Sequence, residues 1–171
     1  MSSACANLDR ETSQDVIKCL IQAYPTLLGS PNQVPPLFLI ARDPKICVLM
    51  PWIATNHTWV IEQCIKTPPV FDLIQMYGER RRTNCTATTL RQFLEAYPHA
   101  LTQRANDQYY NGHIIHKMLR LFADYHMCEC EASLLTWVVE RCPSSLLLES
   151  DSTGHTPLHM ACFNLVRACS I

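Results

Sequence analysis

The sequence predicts an all-α protein built as a solenoid of helix pairs, and three observations support this fold class. Of its 171 residues, 48% are apolar and 17% are charged, a balance typical of a globular domain. Four glycines stand against eleven prolines, whereas β-sheets with tight hairpins usually need more glycine. One amphipathic helical pattern also recurs four times, each copy ending at a proline, which indicates a repeat architecture.

The four copies of this pattern are aligned on Pro25, Pro69, Pro98 and Pro143. The positions eight, five, four and one residues before each proline are apolar or aromatic in fifteen of sixteen cases. This spacing traces one face of an α-helix. Four unrelated helices that happen to stop at proline are the alternative. The sequence therefore predicts outer helices over the ranges 16–25, 60–69, 89–98 and 134–143.

A second set of helices is predicted in the intervals between these four. After Pro25, Pro98 and Pro143 the chain has a short apolar stub, a polar turn and a new apolar stretch at helical spacing. The segment VFDLIQMY, which follows Pro69, has the pattern of a shorter inner helix. Outer helix, loop and inner helix are therefore expected to alternate through a repeat domain over 15–171, after an N-terminal tail over 1–14.

The clearest unit is the segment DSTGHTPLHMA, residues 151–161. Gly154 suits the positive φ of a tight turn, and Thr156 is a helix N-cap residue. Pro157 suits the first helical turn, where its missing N–H loses no hydrogen bond. Leu158 and Ala161 are expected to face the core. This local chemistry predicts a tight turn that opens an inner helix.

The same segment resembles the ankyrin repeat in its turn acid and glycine and in the full Thr-Pro-Leu-His-x-Ala signature. The resemblance implies a hydrogen bond between the Thr156 hydroxyl and the His159 imidazole. The other units are divergent: 36–39 keeps only the Pro-Leu pair, and 112–116 keeps a glycine and a histidine, with His113 aligned to His155. Because most units span about 44 residues, generic HEAT- or TPR-like helix pairs are the alternative.

The resemblance implies a non-enzymatic module that binds another protein. Ankyrin-like proteins bind partners through their turn tips and through the concave face of their inner helices. These surfaces map to six candidate partner-binding residues, Tyr109, Tyr110, His113, Asp151, Thr153 and His155. We expect the paired tyrosines to be binding hot spots, so that replacing both with alanine lowers partner affinity and leaves the melting temperature little changed. The alternative is that they pack onto the next unit.

The composition argues against nucleic-acid and membrane partners. The net charge is −1, without the basic field that nucleic acid requires, and no apolar run reaches the ~18 residues of a membrane span. The first residues contain no apolar signal-peptide segment, which predicts an intracellular, cytoplasmic protein. Most of the ten cysteines, such as Cys19, Cys64 and Cys142, are then expected to be small buried apolar side chains in a reducing compartment.

The sequence contains few features that would indicate an enzyme or a metal centre. Scarce glycine excludes a phosphate-binding loop, and neither Gly-x-Ser-x-Gly nor a Cys-His hydrolase signature is present, so no enzyme and no cofactor are predicted. A small zinc-stabilised helical domain is the rival hypothesis, because His116, His126, Cys128, Cys130 and Cys142 fall within 27 residues. The single residue between Cys128 and Cys130 is poor zinc spacing, and no metal site is predicted. A secreted, disulfide-linked protein is the third alternative.

The last repeat is predicted to be incomplete. The motif begins an inner helix, and the printed sequence stops before a further outer helix could form. Its final residues include the apolar Leu165, Val166 and Ile171, whereas terminal repeats normally carry a polar capping face. We expect this end to dock on a partner or to belong to a longer array. We also expect this unit to be the least stable, so that amide exchange is not slowest over 160–171.

Overall fold

The structure is a computed structural model that describes residues 10–29, 36–43, 45–63, 68–79, 87–106, 111–123 and 129–168. The helices of these ranges are α1 (Arg10–Ala23), α2 (Pro36–Arg42), α3 (Met50–Asn56), α4 (Thr58–Gln63), α5 (Pro69–Glu79), α6 (Ala87–Ala96), α7 (Ile114–Ala123), α8 (Glu129–Arg141) and α9 (Pro157–Ala168). Short 3-10 helices occupy Pro25–Gly29, Cys47–Leu49, Pro98–Thr102 and Ser144–Leu147. The prediction of a mainly helical protein is confirmed.

One small β-hairpin departs from the all-α prediction. Strand β1 (Arg104–Asn106) pairs antiparallel with β2 (Asn111–His113), and Arg104 lies opposite His113. The strands are only three residues long and join the end of one helical segment to the start of the next. Strands this short leave no alternating pattern of apolar and polar residues that a sequence reading could detect.

Three of the four prolines used in the alignment follow the end of a helix, as predicted. Helices α1, α6 and α8 stop shortly before Pro25, Pro98 and Pro143, and a 3-10 helix follows each time. Proline lacks an N–H donor and disfavours helical geometry in the residue before it, which explains the repeated stop. Pro69 behaves differently, because it is the first residue of α5. The helix predicted over 60–69 therefore corresponds to α4, which ends at Gln63.

Two further boundaries differ from the prediction. Helix α1 begins at Arg10, so residues 10–14 of the predicted tail over 1–14 are helical, and residues 1–9 lie outside the described part of the chain. The polar first turn of α1 lacks the apolar face on which the prediction depended. Helix α3 was not predicted, because Pro51 lies in its first turn and the alignment used prolines only as helix ends.

The helices pack in two parallel series. In the first series α2 contacts α5, α5 contacts α7, and α7 contacts α9; in the second, α3 contacts α6 and α6 contacts α8. Contacts between α5 and α6 and between α7 and α8 join the two series. One continuous apolar core lies between them, and its fully buried side chains include Leu37, Ile53, Ile74, Phe93, Met118 and Val138. None of the helices in these ranges has the length and apolar character needed to cross a membrane.

Candidate functional site

The candidate site is the turn over residues 151–156 that precedes α9, called here the α9 turn. Asp151 is 8% exposed, and its Oδ1 accepts three hydrogen bonds. Two come from Thr153, from the backbone N–H at 2.8 Å and from the hydroxyl at 2.6 Å, and one comes from the His155 N–H at 3.0 Å. The backbone closes the same turn, since the Asp151 N–H donates to the His155 carbonyl at 2.9 Å. One carboxylate therefore fixes the shape of the turn.

Asp151 stays ionised in this environment. Burial alone would raise the pKa of its carboxyl, but the hydrogen bonds from Thr153 and from the His155 backbone outweigh burial and hold the pKa below its usual value. A carboxylate that accepts several N–H and O–H bonds is stabilised in its charged form. Asp151 thus has a structural role in the turn; its side chain is largely buried, and its part in binding a partner stays a prediction.

Gly154 adopts the positive φ that the sequence predicted. Its φ is +81°, a conformation that a side chain makes costly. No atom lies within 4 Å of the position that a Cβ would occupy. Backbone strain, and not a steric clash with neighbours, is therefore what the glycine avoids.

Replacing Gly154 with alanine is expected to lower the free energy of unfolding, measured by urea unfolding, by about 1 kcal/mol. The reason is that the Cβ of alanine makes the left-handed backbone conformation unfavourable. Gly154→Asn is the matched control, since asparagine tolerates this conformation better, and it should cost less than alanine. Equal stability of the alanine variant and the parent protein would contradict a left-handed residue at this position.

The N-cap of α9 carries the hydrogen bond that the ankyrin resemblance implied. The Thr156 hydroxyl donates to Nδ1 of His159 at 2.8 Å, and the His159 N–H faces the Thr156 hydroxyl oxygen at 3.4 Å. Pro157 is the first helical residue and is buried. Ala161 is partly buried, but Leu158 is 71% exposed, which contradicts its prediction as a core residue.

The exposure of Leu158 follows from the way α9 packs. Helix α9 contacts α7, and its more buried residues, Pro157, Met160, Ala161 and Asn164, recur at helical spacing. Asn164 donates from Nδ2 to the Leu119 carbonyl of α7 at 2.9 Å. Leu158 lies to one side of this face, about a third of a turn from its centre, where no described element covers it.

A second copy of the same cap lies at the start of α7. His113 precedes Ile114, the first residue of α7, as Thr156 precedes Pro157 in α9. The His113 N–H donates to Nδ1 of His116 at 3.2 Å, and the Thr156 N–H faces Nδ1 of His159 in the same way at 3.4 Å. The correct alignment therefore pairs His113 with Thr156, one residue away from the predicted pairing with His155. The three-residue spacing to the second histidine was the signal that could have found it.

His113 is consequently an interior residue, and its prediction as an exposed turn-tip residue is wrong. It is 4% exposed. Its Nε2 lies 2.9 Å from Oε2 of Glu149, and its Nδ1 lies 3.3 Å from the Gln103 carbonyl. The hydrogen bond and the charge of His113 lower the pKa of Glu149, with a smaller contribution from Arg104. His113 therefore connects the start of α7 to the segment before the α9 turn.

His116 is fully buried, and both of its ring nitrogens are engaged. Nδ1 accepts from the His113 N–H, so the proton lies on Nε2, which donates to the Glu149 carbonyl at 3.0 Å. Burial lowers the pKa of His116; the Glu149 carbonyl and the Asp151 charge oppose this, and His113 and Arg104 add to it. Neutral imidazole is the form that fits these contacts.

Arg104 completes the link between the hairpin and the α9 turn. Its guanidinium donates to Asn111 Oδ1 at 2.6 Å, to Glu149 Oε2 at 3.2 Å and to the Ser150 carbonyl at 2.9 Å. The Ser152 N–H also donates to the Asn111 carbonyl at 2.8 Å. Arg104, His116 and Glu149 were not predicted as site residues, because their roles depend on contacts between residues more than thirty positions apart.

The surface of the α9 turn is therefore smaller than predicted. Thr153 is exposed and His155 is partly exposed, and the Thr153 hydroxyl lies 2.6 Å from Nδ1 of His155. The His155 ring also contacts the rings of His159 and Phe163, with centroids 6.3 and 6.1 Å away. Tyr109 and Tyr110 lie outside the described residues.

The positions of the cysteines and histidines bear on the hypothesis of a metal site. Burial raises the pKa of the Cys142 thiol to about 11, which disfavours the thiolate that metal binding needs. Cys19 is exposed, contrary to its prediction as a buried residue, and Cys64 lies outside the described residues. No group of three or more His, Cys, Asp or Glu side chains within the described ranges is placed to hold a metal ion; His126 and Cys128 lie outside them.

A shallow depression of about 440 Å³ lies on α6 and α8. Two of its lining residues, Arg91 and Glu95, pair with each other at 3.0 Å. Cys130 also lines it and is exposed. Ligand sites in proteins are usually deeper and more apolar, so the α9 turn remains the better candidate.

No protein-family model matches the chain. No curated protein and no solved structure matches it either. The resemblance to the ankyrin repeat therefore depends on the 151–161 motif and on the contacts that its residues make.

Proposed function

We propose that the chain is a non-enzymatic protein-binding module, a helix-pair solenoid of divergent ankyrin-like units, which binds another protein through the α9 turn and the concave face of its inner helices. The observation that supports it most is the preorganised turn. Asp151 holds Thr153 and His155 through three hydrogen bonds, and both side chains remain accessible. Because this turn is already ordered, binding a partner to it costs little conformational entropy.

Two features support the repeat interpretation. The helices follow one another in two series, α2-α5-α7-α9 and α3-α6-α8, as stacked helix pairs would. The caps at His113–His116 and Thr156–His159 use the same spacing and the same Nδ1 acceptor. A shared cap at two inner helices favours ankyrin-like units over generic HEAT- or TPR-like helix pairs.

The partner that fits this turn is a protein surface with hydrogen-bonding groups. The accessible side chains of the turn are the hydroxyls of Ser152 and Thr153 and the imidazole of His155, none of which requires a charged partner. A net charge of −1 gives no attraction to nucleic acid. An intracellular location accompanies this proposal, and the free thiols of Cys19, Cys142 and Cys162 suit a reducing compartment.

The test is a substitution that blocks the tip of the turn without removing its internal hydrogen bonds. Ser152 is exposed, and it bonds to Asn111 through its backbone N–H. Ser152→Arg should therefore leave the melting temperature close to that of the parent protein. We expect affinity capture with quantitative mass spectrometry to recover a set of proteins with the parent chain that falls at least about tenfold with Ser152→Arg, a loss of about 1.4 kcal/mol in binding.

Thr136→Arg is the matched control, because Thr136 is exposed on α8, in the other series of helices. It should retain the captured proteins. Capture of the same proteins by both variants at equal yield would contradict binding through the α9 turn.

A further inference from the structure

Two histidines with accessible rings lie side by side here, one in the α9 turn and one in the first turn of α9. His155 is partly exposed and His159 is exposed, and their ring centres lie 6.3 Å apart. Each ring uses Nδ1 in a hydrogen bond with a threonine hydroxyl, that of Thr153 for His155 and that of Thr156 for His159. A neutral imidazole carries its hydrogen on one nitrogen or the other, so the bond at Nδ1 decides whether Nε2 donates or accepts.

The hydrogen of the His155 ring lies on Nδ1. The Thr153 hydroxyl oxygen is 2.6 Å from Oδ1 of Asp151 and 2.6 Å from Nδ1 of His155. A hydroxyl has one hydrogen and an ionised carboxylate can only accept, so the hydroxyl hydrogen goes to Asp151. The contact with His155 is then a hydrogen bond in which Nδ1–H donates to the hydroxyl oxygen. Nε2 of His155 therefore carries a lone pair and is an acceptor.

The hydrogen of the His159 ring lies on the other nitrogen, Nε2. The Thr156 N–H, which can only donate, faces Nδ1 of His159 at 3.4 Å, and the Thr156 hydroxyl lies 2.8 Å from the same nitrogen. Nδ1 is thus an acceptor, and Nε2 carries the hydrogen. His116 has the same form inside the fold, where its Nε2 donates to the Glu149 carbonyl at 3.0 Å. A carbonyl oxygen is therefore a suitable acceptor for Nε2–H of His159.

The two rings are held in place before any partner binds. The His155 ring contacts the rings of His159 and Phe163 edge to face, with centres 6.3 and 6.1 Å away. Asp151 fixes the backbone from which the His155 side chain extends. Among the described residues, neither Nε2 has a hydrogen-bond partner. An ordered acceptor beside an ordered donor is therefore available to a binding partner at a small cost in entropy.

We propose that His155 and His159 together bind the carboxamide group of an asparagine or glutamine side chain on the partner protein. The amide nitrogen donates to Nε2 of His155, and the amide oxygen accepts from Nε2 of His159. Two hydrogen bonds of about 2.9 Å each, in series through one amide group, can join rings whose centres lie 6.3 Å apart. Asparagine and glutamine bind an adjacent donor and acceptor on adenine in the same bidentate way.

Hydrogen-bond polarity distinguishes this ligand from the alternatives. A carboxylate has no hydrogen to give to His155, and an ammonium or guanidinium group has no acceptor for His159. A trans main-chain amide points its N–H and its C=O in opposite directions. A hydroxyl brings donor and acceptor to a single atom and so spans a shorter gap. The carboxamide has its donor and acceptor side by side on one edge.

This inference rests on the proposed function, because it names the partner chemistry of the same turn. Its experiments use the purified chain alone, so they can fail while capture of proteins through the α9 turn succeeds, and the reverse.

The first experiment determines the two tautomers by long-range proton–nitrogen NMR of the isotope-labelled 171-residue chain at about pH 8, above the usual pKa of imidazole. The variants His155→Gln and His159→Gln assign the signals. We expect the hydrogen on Nδ1 of His155 and on Nε2 of His159. The same tautomer in both rings, or a mixture of tautomers in either ring, would overturn the proposal.

Substitutions of Thr153 test what fixes the His155 ring. Thr153→Val removes the hydroxyl that accepts from Nδ1–H, so His155 should lose its single tautomer, whereas Thr153→Ser keeps a hydroxyl and should keep the tautomer. Thr136→Val is the matched control, because Thr136 is exposed and its hydroxyl donates to the Ala132 carbonyl within α8. Circular dichroism and melting temperature establish that each variant is folded. An unchanged His155 tautomer in a folded Thr153→Val variant would contradict the assignment.

The second experiment measures binding of acetamide, the simplest carboxamide, at up to about 0.5 M, because so small a ligand binds weakly. Acetamide should shift the Nε2 signals of both His155 and His159 by more than those of His99, which is exposed elsewhere. N,N-Dimethylacetamide can accept but has no N–H to donate, so it should shift His159 and leave His155 no more affected than His99. Thr153→Val should reduce the acetamide shift at His155.

Other results would identify a different ligand and overturn the carboxamide proposal. Stronger binding of N-methylacetamide than of acetamide would indicate a main-chain amide. Stronger binding of acetate would indicate an acidic side chain, and stronger binding of ethanol a hydroxyl. Shifts at His155 and His159 no larger than those at His99 with every probe would mean that the two rings do not form a binding site.

Discussion

Replacing Asp151 with alanine is expected to lower the free energy of unfolding by about 3 kcal/mol. The carboxylate accepts three hydrogen bonds, two from Thr153 and one from His155. Alanine leaves these donors without their buried acceptor, and donors that bond a charged group lose more than neutral ones. Because the turn leads directly into α9, loss of the turn should also loosen that helix.

Two measurements check this result. Urea unfolding gives the change in free energy, and native-state hydrogen exchange should show faster exchange of the α9 amides with little change in α6. Asp151→Asn is the matched control, since its amide oxygen can still accept, and it should lose less stability than alanine. A loss below about 1 kcal/mol for Asp151→Ala would mean that the turn keeps its shape without the carboxylate.

Stability should fall as the pH drops from about 7.5 to about 5.5, and His116 should account for a distinct part of that fall. Burial lowers the pKa of His116 in the folded chain below its ordinary value of 6.5. Between the two pKa values the unfolded chain binds more protons than the folded one, so acid favours unfolding. The contribution is complete above pH 6.5 and is lost progressively below it. Protonation also removes the acceptor that the His113 N–H uses.

The carboxyls of Glu149 and Asp151 affect stability in a separate, more acidic pH range. Their folded pKa values lie below 4.5 and 3.8 respectively, so their contributions are lost only at more acidic pH. His116→Gln should cost about 2 kcal/mol at pH 7.5 and should show a smaller loss between pH 7.5 and 5.5 than the parent chain. His99 is exposed, and His99→Gln should keep the parent slope. An unchanged slope in His116→Gln would contradict the assignment.

The features that could be predicted from the sequence are those that depend only on residues close together in the chain. The helices around Phe93 and Val138 follow from apolar spacing, and the φ of Gly154 follows from a local turn signature. The Thr156–His159 cap is equally local, because donor and acceptor are three positions apart in the chain. These features need only one stretch of chain to form.

The features that were missed depend on partners elsewhere. Leu158 has an apolar side chain at a helical core position, yet nothing in the described part of the chain covers it. His113 was placed on the surface because the alignment followed a glycine, whereas its burial depends on Gln103 and Glu149. Pro69 opens a helix where Pro98 follows one, and only the surrounding packing distinguishes the two roles.

The bridge from the hairpin to the α9 turn has a consequence for the order of folding. Arg104 and Glu149 are 45 residues apart, and closing such a loop carries an entropic cost before any contact repays it. The Ser152 N–H finds its acceptor at Asn111 only where the hairpin has formed. We therefore expect the α9 turn, which carries the most recognisable motif, to become ordered after the hairpin that supplies the acceptor for Ser152.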